Sequence, residues 1–473
     1  MTAAPALVDI LPLLNQGCYR CFEEAFDVAT RQQQPGLALE AALLAALRSK
    51  ELGMPPEPWM ARARDAAGGD PVVADLIDMV EAVSPDPFSG DREVTAANPQ
   101  ERLRVRKLLP AWRARLATGQ ESAGFRRYLE KALVCELEGG LQREAFRNEL
   151  GTGLSPLLEF AASTCGYVDE ARLRPMVDAG FIDGGYAVGR WLVDGPKDHE
   201  QALRRFRAAA EAFPSSLSIP TQIGNIHLEW EEWQAAADAF DGVLEVKPRH
   251  PDALLGRTQA LSRLGRYQDG VETATRLIEG GTWFLGPAHY WRAWNHHALK
   301  NFATARADMA RTKQLMVNGN VFLLSGLIEW ALEDRASADI EFQESLKMDF
   351  GQCESAFYLG GVRAELRNAD PAIAALNQAI QCYDLNDVVR RKLIEEITAG
   401  TASEGTKARQ IASHQRAIDH NTQRKGQASK LIGQLQAYIE VQERLKAAPA
   451  PAGPTAPVPP PTPVPTPARP RPR

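Results

Sequence analysis

Cys18 and Cys21 bracket Tyr19-Arg20 and are the closest pair among six cysteines. Two thiols at this spacing can begin a zinc site, a redox pair or a disulfide. Zinc needs four soft or imidazole ligands. No second Cys/His pair follows nearby, and the next cysteine is Cys135. A thioredoxin-type pair needs a strand-to-helix context, which the surrounding helical pattern lacks. The reading is a helix-turn whose two sulfurs face the core, with a regulatory disulfide or partial metal site as alternatives. Cys165, Cys353 and Cys382 stand apart and read as small apolar core residues. His296-His297 is the second candidate. Adjacent helical side chains diverge by about 100°, so both rings cannot easily hold one ion, and packing or groove lining is expected. The sequence shows no Ser/His/Asp arrangement, phosphate loop or HExxH. Gly184-Gly185 and Gly280-Gly281 read as turns between helices. No catalytic residue, cofactor or metal ligand is expected, and the chain does not read as an enzyme.

Those residues must be held by elements, and composition bounds what the elements are. The 473 residues are 44% hydrophobic and 24% charged, ample for a core and ordinary for a folded protein. A formal net charge of -6 is small for this length and excludes a globally basic nucleic-acid binder. No run of about 18 apolar residues exists, so no membrane span is expected. Met1 to Leu14 has no Lys or Arg, and Pro5 and Pro12 break its apolar stretch, unlike a signal peptide. Leu14-Asn15-Gln16-Gly17-Cys18 only faintly resembles a lipoprotein cleavage site. The expectation is a cytoplasmic chain, or an exported or lipid-anchored one if a signal lies upstream.

A period organises the middle of the chain. Small residues recur at Ala202, Ala236, Gly270, Ala305, Ala338 and Ala372, in steps of 34, 34, 35, 33 and 34. Four residues after each comes Phe206, Phe240, Ala274, Met309, Phe342 and Leu376. Gly189 and Gly224 precede the first two sets, and Pro214 and Pro248 follow them. Six units fill about residues 183–386. With Leu359-Gly360, Ala372, Leu376 and Ala379, this pattern resembles the tetratricopeptide repeat family. The resemblance implies an all-α fold, a right-handed solenoid of helix-turn-helix repeats. Thr258 and Gly270 depart from the pattern in one unit, and Ala293 replaces the first-helix glycine in the next. Small residues let paired helices approach while the large ones fill the gaps.

In that family the first helices line a concave groove, so its inward rows follow from the register. One row holds Trp191, Asn225, Trp294 and Leu327. The row one turn earlier adds Tyr290, Leu323 and Phe357, and the row one turn later His297 and Trp330. This predicts an aromatic wall flanked by leucines, suited to a peptide or helix of a partner protein. The competing reading is that a capping helix, or the superhelix itself, covers the wall. No Lys or Arg occupies these rows, which argues against clamping an acidic peptide tail. The rival function is binding of nucleic acid or an anionic polymer through Arg102, Arg104, Arg106, Lys107, Arg113 and Arg115, with the basic C-terminal segment. Arg390, Arg391 and Lys392 form a second basic cluster. No small-molecule substrate is expected.

The flanks are less regular. Residues 1–182 read as divergent helix pairs, with loops at Pro55-Pro58 and Ser84-Asp91. Residues 387–447 read as a capping or amphipathic helix. Ile411, Ile418, Ile432 and Ile439 share a seven-residue register with Leu435 beside it, but Lys425, His414 and Asn421 interrupt it, so a coiled coil is weakly supported. Residues 448–473 contain twelve prolines and are expected to be a disordered tail.

Overall fold

The computed structural model describes residues 9–68, 180–281, 284–349 and 351–447, with isolated positions between 74 and 178. The expected tail at 448–473, the basic helices at 102–115 and the loop at 84–91 lie outside the described residues, isolated positions apart. Seventeen helices are described and, among the described residues, no strand. The chain forms two compact units, residues 1–256 and 257–473.

The first unit begins with α1 (Leu11–Gln16), α2 (Tyr19–Arg31), α3 (Pro35–Glu51) and α4 (Glu57–Ala67). Proline at N1 starts α3, and its Ala/Leu run is buried on nearly every side. The loop expected at Pro55-Pro58 is shorter than read: α4 already begins at Glu57, with Pro58 in its first turn, where a missing N–H costs nothing. Two helix pairs follow, α5 (Ile182–Asp194) with α6 (His199–Ala212) and α7 (Ser218–Glu229) with α8 (Trp233–Val246). Arg48 joins the two parts of this unit. Its buried guanidinium donates to Glu51 at 2.9 Å and to Asp183 at 2.6 Å. Gly184 and Gly185 are not turn residues, because α5 has already started at Ile182.

The helix α9 (Pro251–Arg263) spans the division between the units, and α10 (Tyr267–Glu279) completes its pair. The second unit continues with α11 (Leu285–Ala298), α12 (Phe302–Leu315), α13 (Gly319–Ala331), α14 (Arg335–Met348), α15 (Cys353–Glu365), α16 (Ala369–Ala399) and α17 (Glu404–Ala447). Helices α5 to α16 are the twelve members of six pairs at the expected period. The last pair does not stop at 386, since α16 runs unbroken to Ala399.

The packing explains the period. A Cβ on Gly224 would lie 2.7 Å from the Phe240 ring, one on Gly326 2.6 Å from Phe342, and one on Gly360 2.5 Å from Leu376. In these pairs the large residue of the second helix therefore presses on bare backbone of the first. Gly270 obeys the same logic for a different neighbour, because a Cβ there would meet the buried Asn295 amide at 2.6 Å. The turn inside each pair is a second periodic mark. Lys197, Glu231, Gly265, Lys300, Glu333 and Arg367 all have positive φ, between 55° and 77°. Only one is glycine, so the left-handed cost at the others is offset by the closing bonds, such as Glu232 N–H to His227 O at 2.9 Å.

The cysteines depart from expectation. Cys18 is joined to Cys21, and Cys353 to Cys382. Neither pair behaves as free core thiols. Cys18 also caps α2, its sulfur accepting from Cys21 N–H at 3.0 Å. Cys353 opens α15 while Cys382 lies mid-way along α16, so residues 29 apart in sequence meet because the pair is antiparallel. Register alone could not show this.

Candidate functional site

The second unit holds a pocket of about 670 Å³ on the side lined by the first helices of its pairs. Tyr290, Trp294 and His297 occupy successive turns of α11 and form one wall. Leu323, Leu324 and Leu327 of α13 form the apolar floor, with Asn320 at its edge. Arg263 of α9 closes one end, its guanidinium 5.7 Å from the Trp291 ring centroid and 5.6 Å from that of Trp294. The opposite wall comes from Glu354 and Tyr358 of α15 and from His420, Gln423, Arg424 and Gln427 of α17.

That opposite wall is a closed ionic network. Glu354 accepts from Tyr383 Oη at 2.8 Å, from His420 Nε2 at 3.0 Å, and from Arg424 Nε and Nη2 at 3.1 and 2.8 Å. Arg424 also donates to Tyr358 Oη at 2.6 Å and to Gln427 Oε1 at 3.1 Å. Burial alone would raise the Glu354 carboxyl. The His420 hydrogen bond and the Arg424 charge outweigh it and hold the group below the usual carboxylate range. Burial, then the Glu354 charge, push the Tyr358 and Tyr383 hydroxyls well up. The Glu354 carboxyl and the two tyrosine hydroxyls are therefore not poised to give or take a proton near neutrality.

The α11 wall is different, because its polar groups are unspent. Among the described residues nothing hydrogen-bonds the Tyr290 hydroxyl or the His297 ring, and the Trp294 indole N–H is buried without a partner. Burial pushes Tyr290 up to about 12 and His297 down to about 4, so both stay neutral at ordinary pH. The His297 ring packs on Phe302 at 5.6 Å. Of the paired histidines, then, His297 faces the pocket. His296 does not line it.

The residues expected in one groove separate into three groups. Tyr290, Trp294, His297, Leu323 and Leu327 line the pocket. Trp330 and Phe357 are buried, 2% and 5% exposed. Trp330 meets Tyr358 edge-on at 6.0 Å, and Phe357 lies under the Arg424 guanidinium at 4.7 Å. Trp191 and Asn225 belong to the first unit, where Trp191 packs against the core and Asn225 is exposed. The chain's own α17 covers Phe357. Its Ala428, Leu431 and Leu435 join the core of the last pair. The same helix brings Arg424 and His420 to the pocket, and the inward rows of the repeats carry no signal for either.

Register breaks in α17 have partners. Lys425 bridges Asp384 at 2.8 Å and Asp387 at 2.7 Å, and Asn421 donates to Asp387 at 2.7 Å. The polar positions that interrupt a coiled-coil seam are thus the ones that key α17 onto α16. Among the described residues no group of side chains could hold a metal ion, and no helix is long and apolar enough to cross a membrane.

The array is tetratricopeptide-like. Six glycine- or alanine-pivoted helix pairs at one step establish this from the geometry itself. No family model and no curated protein matches the sequence. Solved structures overlap weakly. The tetratricopeptide protein TTC0263 of Thermus thermophilus is 12% identical, covering 38% of this chain and 98% of that one at a TM-score of 0.33. A tetratricopeptide repeat protein of Parabacteroides merdae is 13% identical, covering 72% and 97% at 0.29. Yeast Tom70 is 10% identical, covering 86% and 90% at 0.33. At such scores the overlaps add nothing to the reading of the site.

Proposed function

We propose that the protein is a non-catalytic interaction scaffold whose second unit takes a peptide segment of a protein partner in the α11–α13 pocket. One observation carries the reading. Tyr290, Trp294 and His297 lie on one helix face beside leucines, and the Tyr290 hydroxyl and His297 ring have no hydrogen-bond partner among the described residues. Aromatic side chains with a free polar end are the usual anchors of peptide recognition, and burying them beside leucines supplies the apolar term. Glu354, Arg424 and His420 satisfy one another, and Arg263 stacks on Trp291 and Trp294.

The test is selection of displayed peptides on the full-length protein, followed by affinities for Trp294→Ala and Leu327→Ala. Binding should weaken by about 2 kcal/mol or more, roughly thirtyfold, for the Trp294 variant. An exposed α16 substitution, Lys392→Ala, should leave it unchanged. Selected peptides that bind the two pocket variants as tightly as the wild type would refute the proposal.

The two disulfides also favour an oxidising compartment over the reducing cytoplasm, where such bridges do not persist. Thiol alkylation of protein from its native host, without reductant, should leave Cys353 and Cys382 unlabelled. Labelling of both would overturn that reading.

A further inference from the structure

We propose that this chain's own neutral proline-rich stretch, residues 454–467, folds back into the α11–α13 pocket and competes there with the partner peptide. The proposal rests on the reading of that pocket as a peptide site.

Three observations carry it. The first is the kind of polar group left unspent. Polyproline offers carbonyl oxygens but almost no amide donors, and it presents flat apolar rings. A surface that fits it must supply donors and flat apolar faces. The Tyr290 hydroxyl has no acceptor among the described residues, and the Tyr290 and Trp294 rings offer flat apolar faces beside Leu323 and Leu327. Proline-rich segments commonly dock in aromatic-lined grooves.

The second is charge. Glu354 and Arg424 are bound to each other, and Arg263 at the pocket's end stacks on the Trp291 and Trp294 rings, so a charged ligand would have to break one of these arrangements or face it unmatched. Residues 454–467 contain eight prolines among fourteen residues and no charged side chain. The three arginines of the C-terminal segment, Arg469, Arg471 and Arg473, fall outside this stretch.

The third is reach. α17 lines the pocket through Gln427 and ends at Ala447, about 30 Å further along its axis. The 26 residues beyond Ala447 span about 80 Å when extended. Retracing about 30 Å takes about ten residues, so the middle and end of the stretch, Val464 included, can reach the pocket.

The test uses the full-length chain with the photo-crosslinking residue p-benzoylphenylalanine in place of Val464. Irradiation should join the tail to residues 285–298 or 319–331, located by peptide mass spectrometry, with a yield independent of protein concentration. Tyr290→Phe, which removes only the hydroxyl, and Trp294→Ala should each lower the yield at least about fivefold. Crosslinks to other segments, no crosslink, or a yield indifferent to both variants overturns the proposal. A yield that rises with concentration also overturns it, since the occupant is then a second copy. If crosslinks miss the pocket while selected peptides still lose affinity for Trp294→Ala, only the tail proposal fails. If those peptides bind the variant normally, the pocket reading fails as well.

Discussion

Replacing Glu354 with glutamine tests whether α17 is fastened to the last repeat through one carboxylate. The substitution keeps the shape and removes the charge that Arg424 and His420 share. Breaking a fully buried ion pair costs about 3–5 kcal/mol, and an exposed pair contributes about 0–1. Here the side chains are 25% and 18% exposed, between those limits. Glutamine can still accept one hydrogen bond, so the expected loss is about 2 kcal/mol. For a unit of this size that corresponds to roughly 4–8 °C in Tm. The pH dependence is the sharper test. The folded carboxyl is held below the ordinary value of 4.5. Its contribution is therefore complete above pH 4.5 and is lost as pH falls through the folded value. Urea denaturation of wild type and Glu354→Gln should differ by about 2 kcal/mol at pH 7 and converge in strong acid. Hydrogen exchange should be faster over residues 418–435 of the variant at pH 7. A difference that persists unchanged into acid, or unaltered exchange in that segment, would refute the reasoning.

Three further outcomes follow from the packing and the pocket. Gly326→Ala drives a Cβ to 2.6 Å from the Phe342 ring and should cost about 1–3 kcal/mol by denaturant titration, with Phe342→Leu in the same chain recovering part of the loss. Removing the Cys353–Cys382 bridge by the double change to serine frees a 29-residue separation and should cost roughly 3 kcal/mol, read as the melting difference between oxidised wild type and variant. His297 is held neutral with its value near 4, against 6.5 unperturbed, so the unfolded chain gains a proton first. Stability should fall by about 3 kcal/mol between pH 6.5 and pH 4. His297→Phe should make that slope shallower, the lowered His199, His296 and His414 supplying the rest, and an equal slope in the variant would remove His297 as a cause.

The repeats were legible because their signal is redundant. Six small residues at one step, each followed by a larger one four positions on, can arise only if the same pair geometry recurs. The mechanism is visible in Gly224 against Phe240 and Gly360 against Leu376. The left-handed turn residues follow the same step, but Lys197, Glu231, Lys300, Glu333 and Arg367 do not look like turn formers. Their conformation is imposed by the helix ends, so residue type hides it. The Cys353–Cys382 disulfide was missed for a related reason, since the two cysteines approach only through the antiparallel arrangement of α15 and α16, whereas a bridge between Cys18 and Cys21 stood among the alternatives.

The pocket was half legible, and the missing half has one cause. The inward face of α11 and α13 follows from the register, so Tyr290, Trp294, His297, Leu323 and Leu327 could be named from spacing. What the register cannot show is how far α17 covers the face. Arg424 lies 70 residues from Glu354, and nothing local marks that carboxylate as its partner among so many. Once α17 is placed, the expected wall divides. Phe357 lies under Arg424, Trp330 packs into the core, and both serve the fold. Tyr290, Trp294 and His297 remain uncovered by any hydrogen-bond partner among the described residues. A helix that merely capped the array would cover the last pair and leave nothing beyond it. Instead α17 supplies the second wall of a cavity whose first wall keeps unspent donors. The Tyr290 hydroxyl beside this apolar surface is best placed when something accepts from it. The pocket's chemistry therefore calls for an occupant rich in carbonyl oxygen and poor in charge, and an extended peptide has that character.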